Sequence, residues 1–128
     1  MFRNSKKQGD AGLGQALAHF TSLGLDVALP LTDSADWDMI VEIDGELKRV
    51  QVKTSTQMKG VTEIFDASVH GGNKTYNNAS CKKISDQSWD YIFLYHLTTG
   101  KKALIPKAAL TTNGQINLGP KYAEYVIA

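Results

Sequence analysis

Between residues 10 and 23 the apolar side chains Leu13, Ala16, Leu17, Phe20 and Leu23 recur at steps of three and four. That spacing puts one apolar stripe on an α-helix, and Gly24 supplies its C-terminal stop. Asp10 reads as the N-cap, since its carboxylate can accept a free first-turn N–H. Residues 26–30 then predict a short strand ended by Pro30, and residues 32–36 a polar, acidic loop. Period-two alternation follows. It predicts strands over residues 37–43 and 47–54, joined at Asp44-Gly45, a pair suited to the positive φ angles of a two-residue hairpin turn.

Residues 62–69 alternate well enough for another strand, read as an antiparallel continuation of the meander. Residues 70–88 are polar, rich in glycine, asparagine and lysine, and predict a long loop, which in a compact domain is usually functional or mobile. The apolar and aromatic run over residues 89–97 predicts a strand buried on both faces. A further strand is expected over 102–105, a short helix opened by Pro106, and a strand plus an aromatic segment over 115–127. The order of elements predicts an α/β fold, an N-terminal helix followed by a mixed sheet with an antiparallel hairpin. A chain of 128 residues, 42% hydrophobic, can bury one core, so a single domain over residues 1–128 is expected.

The lone cysteine, Cys81, excludes an intrachain disulfide and a cysteine-based zinc site. No apolar run approaches the roughly 20 residues of a membrane span, and the first ten residues lack the apolar stretch of a signal peptide. A soluble, cytoplasmic protein without a membrane partner is expected. The net charge of +1 does not by itself argue for a nucleic-acid partner. Its distribution is more informative: bases gather at Arg3, Lys6 and Lys7, at Lys48, Arg49 and Lys53, and at Lys74, Lys82 and Lys83, with many acids between residues 26 and 46. Segregation of this kind can build a local basic groove, although any single cluster is more often an ordinary solvated face.

The hairpin places three polar residues together. With Asp44 and Gly45 as its central residues, Asp38 falls opposite Gln51, a pairing that brings Cβ atoms to about 5 Å. Lys53 leaves the same face about 7 Å further along, while Val50 and Val52 point to the other side. A magnesium ion takes hard oxygen ligands, so the Asp38 carboxylate, the Gln51 amide oxygen and the Val52 carbonyl form a plausible partial shell. Such an ion can polarise a phosphate and acidify a bound water, with Lys53 stabilising the charge that develops. On spacing alone, a surface ion pair between Asp38 and Lys53, worth little, is the simpler reading.

The ordered set of segments changes that balance. Lys7-Gln8-Gly9-Asp10, Leu23-Gly24-Leu25-Asp26-Val27 up to Pro30, Trp37-Asp38-Met39-Ile40-Val41 and Val50-Gln51-Val52-Lys53-Thr54 follow one another, with Asp90-Tyr91, Leu104-Ile105-Pro106 and Ile116-Asn117-Leu118 downstream. This set resembles the PD-(D/E)XK nuclease superfamily, and in particular its small branch associated with group I intron homing endonucleases. The resemblance implies a restriction-endonuclease-like core and a DNA endonuclease of homing, restriction or junction-resolving type. It implies Mg2+ or Mn2+ as cofactor, DNA as partner and a homo-oligomer, dimer or higher. By it, Asp38 is the motif aspartate, Gln51 holds the (D/E) position, Lys53 is the lysine, and Asp38, Gln51 and the Val52 carbonyl hold the metal.

Two departures from the family pattern stand out. Gln51 is a neutral amide where an acid is commoner, and Leu13 occupies the position where relatives usually carry a first-helix glutamate. Asp10, one turn earlier, is an alternative carboxylate. The departures keep a second reading open, a nucleic-acid-binding or assembly module that has lost catalysis. Lys7, His70, Lys74, Tyr76, Asn77, Lys82 and Lys83 are candidate nucleic-acid contacts, since lysines position phosphates and amides can read base edges. A solvated loop explains the downstream ones equally well. His19 and His96 read as structural histidines, and Trp37 and Trp89 as core.

Overall fold

A computed structural model describes residues 4–32, 34–68 and 82–128. Helix α1 spans Ser5–Ser22 and is capped by Asn4, whose Oδ1 accepts the Lys7 N–H at 2.9 Å. It therefore starts more than a turn before Asp10, which is an exposed helical residue and not the N-cap. The opening turns are polar, so apolar periodicity could not reveal them. At the other end the helix stops at a Leu23 C-cap and Gly24 takes a φ of +76°, as its role as a stop requires.

Strand β1 (Val27–Ala28) pairs antiparallel with β2 (Met39–Ile43), and β2 with β3 (Glu46–Ser55). Asp44 and Gly45 both have positive φ, 53° and 80°, the twist that joins two adjacent strands tightly. The register runs from Ile43 opposite Glu46 to Met39 opposite Val50 and ends there; the Asp38 N–H also donates to the Val50 carbonyl, so Asp38 is no ladder partner of Gln51 and the two meet through their side chains. β2 itself is shorter than expected, beginning at Met39.

Past the hairpin, β3 pairs in parallel with β6 (Tyr91–His96); β6 then pairs antiparallel with β7 (Lys102–Pro106) and β7 with β9 (Val126–Ile127). A second sheet holds β4 (Met58–Lys59), β5 (Thr62–Asp66) and β8 (Gln115–Asn117) in the order β4-β5-β8. The segment at 62–66 is thus not a continuation of the meander. A turn at Gly60, with φ of +62°, folds β4 onto β5, and the edge of β3 is taken by β6, whose apolar run suits an interior position in the sheet. Single 3-10 turns at Ile84–Asp86 and Lys107–Ala109 and a longer one at Pro120–Tyr125 complete the described chain.

Two apolar clusters lie on opposite faces of the main sheet. Under α1 are Ala16, Phe20, Met39, Val41, Val50 and Phe93; on the other face Phe65, Trp89, Ile92, Leu94, Ile105 and Ile116 fill the space toward the smaller sheet. β6 feeds both, as its unbroken apolar run predicts. α1 sits close to β3 because residue 12 is glycine: a Cβ there would lie 2.3 Å from Thr54 Cγ2. Val52 and Thr54 face the helix, and by alternation Gln51 and Lys53 face away from it. Among the described residues no helix is long and apolar enough to cross a membrane.

Candidate active site

Asp38 lies one residue before β2. Its N–H donates to the Val50 carbonyl at 2.8 Å, and its Oδ2 accepts the Val52 N–H at 2.7 Å. The side chain thereby takes the place of a backbone partner where the β2 ladder has ended. Burial pushes the Asp38 carboxyl above the usual carboxylate range, opposed by the Val52 N–H and by the nearby Lys53 charge.

Gln51 is only 7% exposed. Its amide head lies 2.9 Å from Asp38 Oδ2 and 3.0 Å from the Asp36 carbonyl oxygen, both acceptors, so the amide nitrogen donates to the two of them. Rotated by half a turn, the amide would set its oxygen against the same two oxygens at the same distances. The 2.9 and 3.0 Å separations are ordinary hydrogen-bond distances, and these oxygens could hold a small hard cation only with the amide turned. The charge available is modest. Among the described residues there is no group of three or more His, Cys, Asp or Glu side chains placed to hold a metal.

Lys53 follows on the same face of β3. Its Nζ donates to the Ser68 carbonyl at 3.5 Å, and Ser68 is fixed in turn by Asp66 Oδ1, which accepts its N–H at 3.0 Å and its hydroxyl at 2.6 Å. The ammonium is therefore tethered just beyond the end of β5, close enough to Asp38 to act on its charge.

Asp36, read from the sequence only as part of an acidic loop, belongs to the same constellation. Its carboxylate accepts the Ser88 N–H at 3.2 Å and the Ser88 hydroxyl, and pairs with Lys82 Nζ at 3.5 Å. Burial alone would raise its pKa, but the two Ser88 bonds and Lys82 together hold it below the ordinary value. The only sequence signal for Asp36 was its position two residues before Asp38, which is too common to single out. Buried Gln87 was missed likewise: its Nε2 donates to the Ala67 carbonyl at 2.9 Å and its Oε1 accepts Trp89 Nε1–H at 2.6 Å, tying β5 to the entry of β6.

On the helix side, Leu13, Leu29, Leu31 and Trp37 share with Asp38 the wall of a cleft of about 590 Å³. Leu13 also packs against the core under α1, so it presents methyl groups to the cleft and no carboxylate. Asp10 is exposed one turn earlier. Of the candidate nucleic-acid contacts, Lys7 and Lys83 are exposed, and Lys82 is exposed but paired with Asp36. His70, Lys74, Tyr76 and Asn77 lie outside the described residues. His96 is buried, with Nε2 bonded to the Gln57 carbonyl at 2.9 Å and Nδ1 accepting the Thr99 N–H at 3.2 Å, while the His19 ring lies edge-on to Phe20 and tilted against Phe93; neither approaches Asp38 in these contacts.

A family model described as PD-(D/E)XK endonuclease matches residues 3–121. The fold is similar to that of the bacterial homing endonuclease I-Ssp6803I, with a TM-score of 0.72 and 20% identity over 98% of this chain and 88% of that one. No curated protein matches the chain.

Proposed function

The chain belongs to the PD-(D/E)XK endonuclease family, and we propose that it is a metal-dependent DNA endonuclease whose reacting groups are Asp38, Gln51 and Lys53. The observation that carries this reading is the meeting of the Gln51 amide with Asp38 Oδ2 and the Asp36 carbonyl within 3.0 Å, beside a tethered lysine. Mg2+ or Mn2+, when bound, supplies Lewis-acid activation of the phosphate and an acidified water. Asp38 would give the formal negative charge, and the Gln51 amide oxygen, once turned, and the Val52 carbonyl would supply neutral oxygens. Lys53 stabilises charge developing on the phosphate, and because Ser68 already holds it the ammonium needs little reorganisation. Among the described residues there is one such cluster per chain, so cutting both strands of a duplex calls for a homo-oligomer. Homing specificity is the branch favoured by the likeness to I-Ssp6803I.

A second reading is supported by Leu13. An apolar residue on the helix wall of the Asp38 cleft suits a nucleic-acid-binding or assembly module that has given up catalysis. Thermal unfolding under manganese titration separates the two. A working site raises the melting temperature as the metal reaches millimolar concentration, by the ordinary linkage of ligand binding to folding. No change in melting temperature, with salt-sensitive DNA binding intact, would favour the module.

A further inference from the structure

The ladder of β2 begins at Met39 and the Asp38 N–H bonds to the Val50 carbonyl, so the placing of Asp38 and the Gln51 amide depends on how residues 36–38 are held. Asp36 does this from both of its ends. Its carboxylate, with the side chain 10% exposed, accepts from the Ser88 N–H and hydroxyl and from Lys82. Ser88 is itself fixed from β3, since Arg49 Nη1 donates to the Ser88 carbonyl at 3.3 Å. The Asp36 backbone carbonyl, 3.0 Å away, accepts from the Gln51 amide. From this bracket we infer that Asp36 is a positioning residue: anchored to the entry of β6 by its carboxylate, it sets with its carbonyl the orientation of the Gln51 amide beside Asp38.

The inference deepens the nuclease reading by naming what orders one of its proposed metal ligands. It also stands on a contact that exists with no metal bound. Without the carboxylate, residues 36–38 lose their tie to Ser88, the carbonyl moves freely, and Gln51 keeps only Asp38 as a partner. A carboxamide at position 36 preserves an oxygen that can accept from Ser88, so Asp36→Asn should behave much like the wild type.

The test reads the Gln51 side-chain NH2 signals by 15N NMR, identified by their loss in Gln51→Glu, with Mn2+ binding by calorimetry as the separate test of the nuclease reading. In the wild type the Gln51 NH2 exchanges with solvent more slowly than that of exposed Gln57. In Asp36→Ala its exchange accelerates about tenfold, and Asp36→Asn restores it. Should Asp36→Ala fail to fold, Ser88→Ala, which removes only the hydroxyl donor, is read in the same way and still loosens the NH2. A folded Asp36→Ala or Ser88→Ala with unchanged NH2 exchange would overturn the inference. If the wild type binds no metal, the nuclease reading fails by itself, and amide exchange alone decides the role of Asp36.

Discussion

The Asp38 carboxylate accepts the Val52 N–H at 2.7 Å and so stands in for a backbone partner just beyond the end of β2. One side chain thus both closes the sheet and faces the cleft.

This position has a pH signature. Burial raises the Asp38 pKa above its unfolded value, so the folded chain holds that proton more tightly than the unfolded one. Stability from this group is therefore lost as pH rises from the unfolded aspartate value, about 3.9, through the raised folded value. Metal-free Asp38→Asn, whose carbonyl can still accept from Val52, should melt higher than the wild type at neutral pH. The difference should vanish at pH 3, where both side chains are neutral. Unfolding curves recorded across that range in a chelator check it; a wild type that is the more stable at pH 7 would contradict it.

Gln51→Glu should trade metal-free stability for metal affinity. It replaces two donated hydrogen bonds with a carboxylate facing Asp38 Oδ2 and the Asp36 carbonyl. Leaving buried acceptors without donors costs about 1–3 kcal/mol. A second carboxylate should in turn strengthen Mn2+ binding. Melting temperatures with and without manganese measure both effects: the variant should start lower than the wild type and gain more from the metal.

Two glycines on α1 should respond oppositely to alanine. At Gly14 a Cβ meets nothing within 4 Å, so Gly14→Ala should gain the usual helix-propensity difference of about 1 kcal/mol. At Gly12 the Cβ would meet Thr54 Cγ2 at 2.3 Å, and overpacking of about 1–3 kcal/mol should outweigh that gain. Denaturant midpoints for the two variants should move in opposite directions. Because Thr54 neighbours Lys53, Gly12→Ala should also slow cleavage.

Lys53→Ala should separate chemistry from binding. Losing a preorganised cation at the phosphate should lower the cleavage rate about 100- to 1,000-fold. Manganese affinity should hold or rise, since a positive charge near Asp38 has been removed. Single-turnover rates beside metal titrations would show the split; a parallel loss of metal binding would place Lys53 in a structural role.

Much of this arrangement was legible because local chemistry fixed it. Asp44-Gly45 dictated a tight turn, and the turn dictated the register from Ile43–Glu46 to Met39–Val50; Asp38 lies just past its end and meets Gln51 by side chain. The apolar run before His96 likewise announced a strand buried on both faces. What stayed hidden depended on partners distant in sequence. The parallel pairing of β3 with β6, the departure of β5 to a second sheet and the Asp36–Ser88 tie each join segments whose own patterns carry no mark of the other. The start of α1 was missed for a local reason, since a polar first turn capped by Asn4 has no apolar rhythm. The resemblance supplied what spacing could not, a reason to expect Asp38 and Lys53 to act in chemistry and not as an exposed ion pair.

The most direct test of the account is cleavage of a randomised duplex DNA pool by the purified protein, with magnesium or with chelator, followed by sequencing of the ends. The account predicts magnesium-dependent ends that are absent with chelator and absent with folded Asp38→Ala and Lys53→Ala proteins. Undiminished cleavage by both variants, or no metal-dependent cleavage by a wild type that still binds DNA, would contradict it.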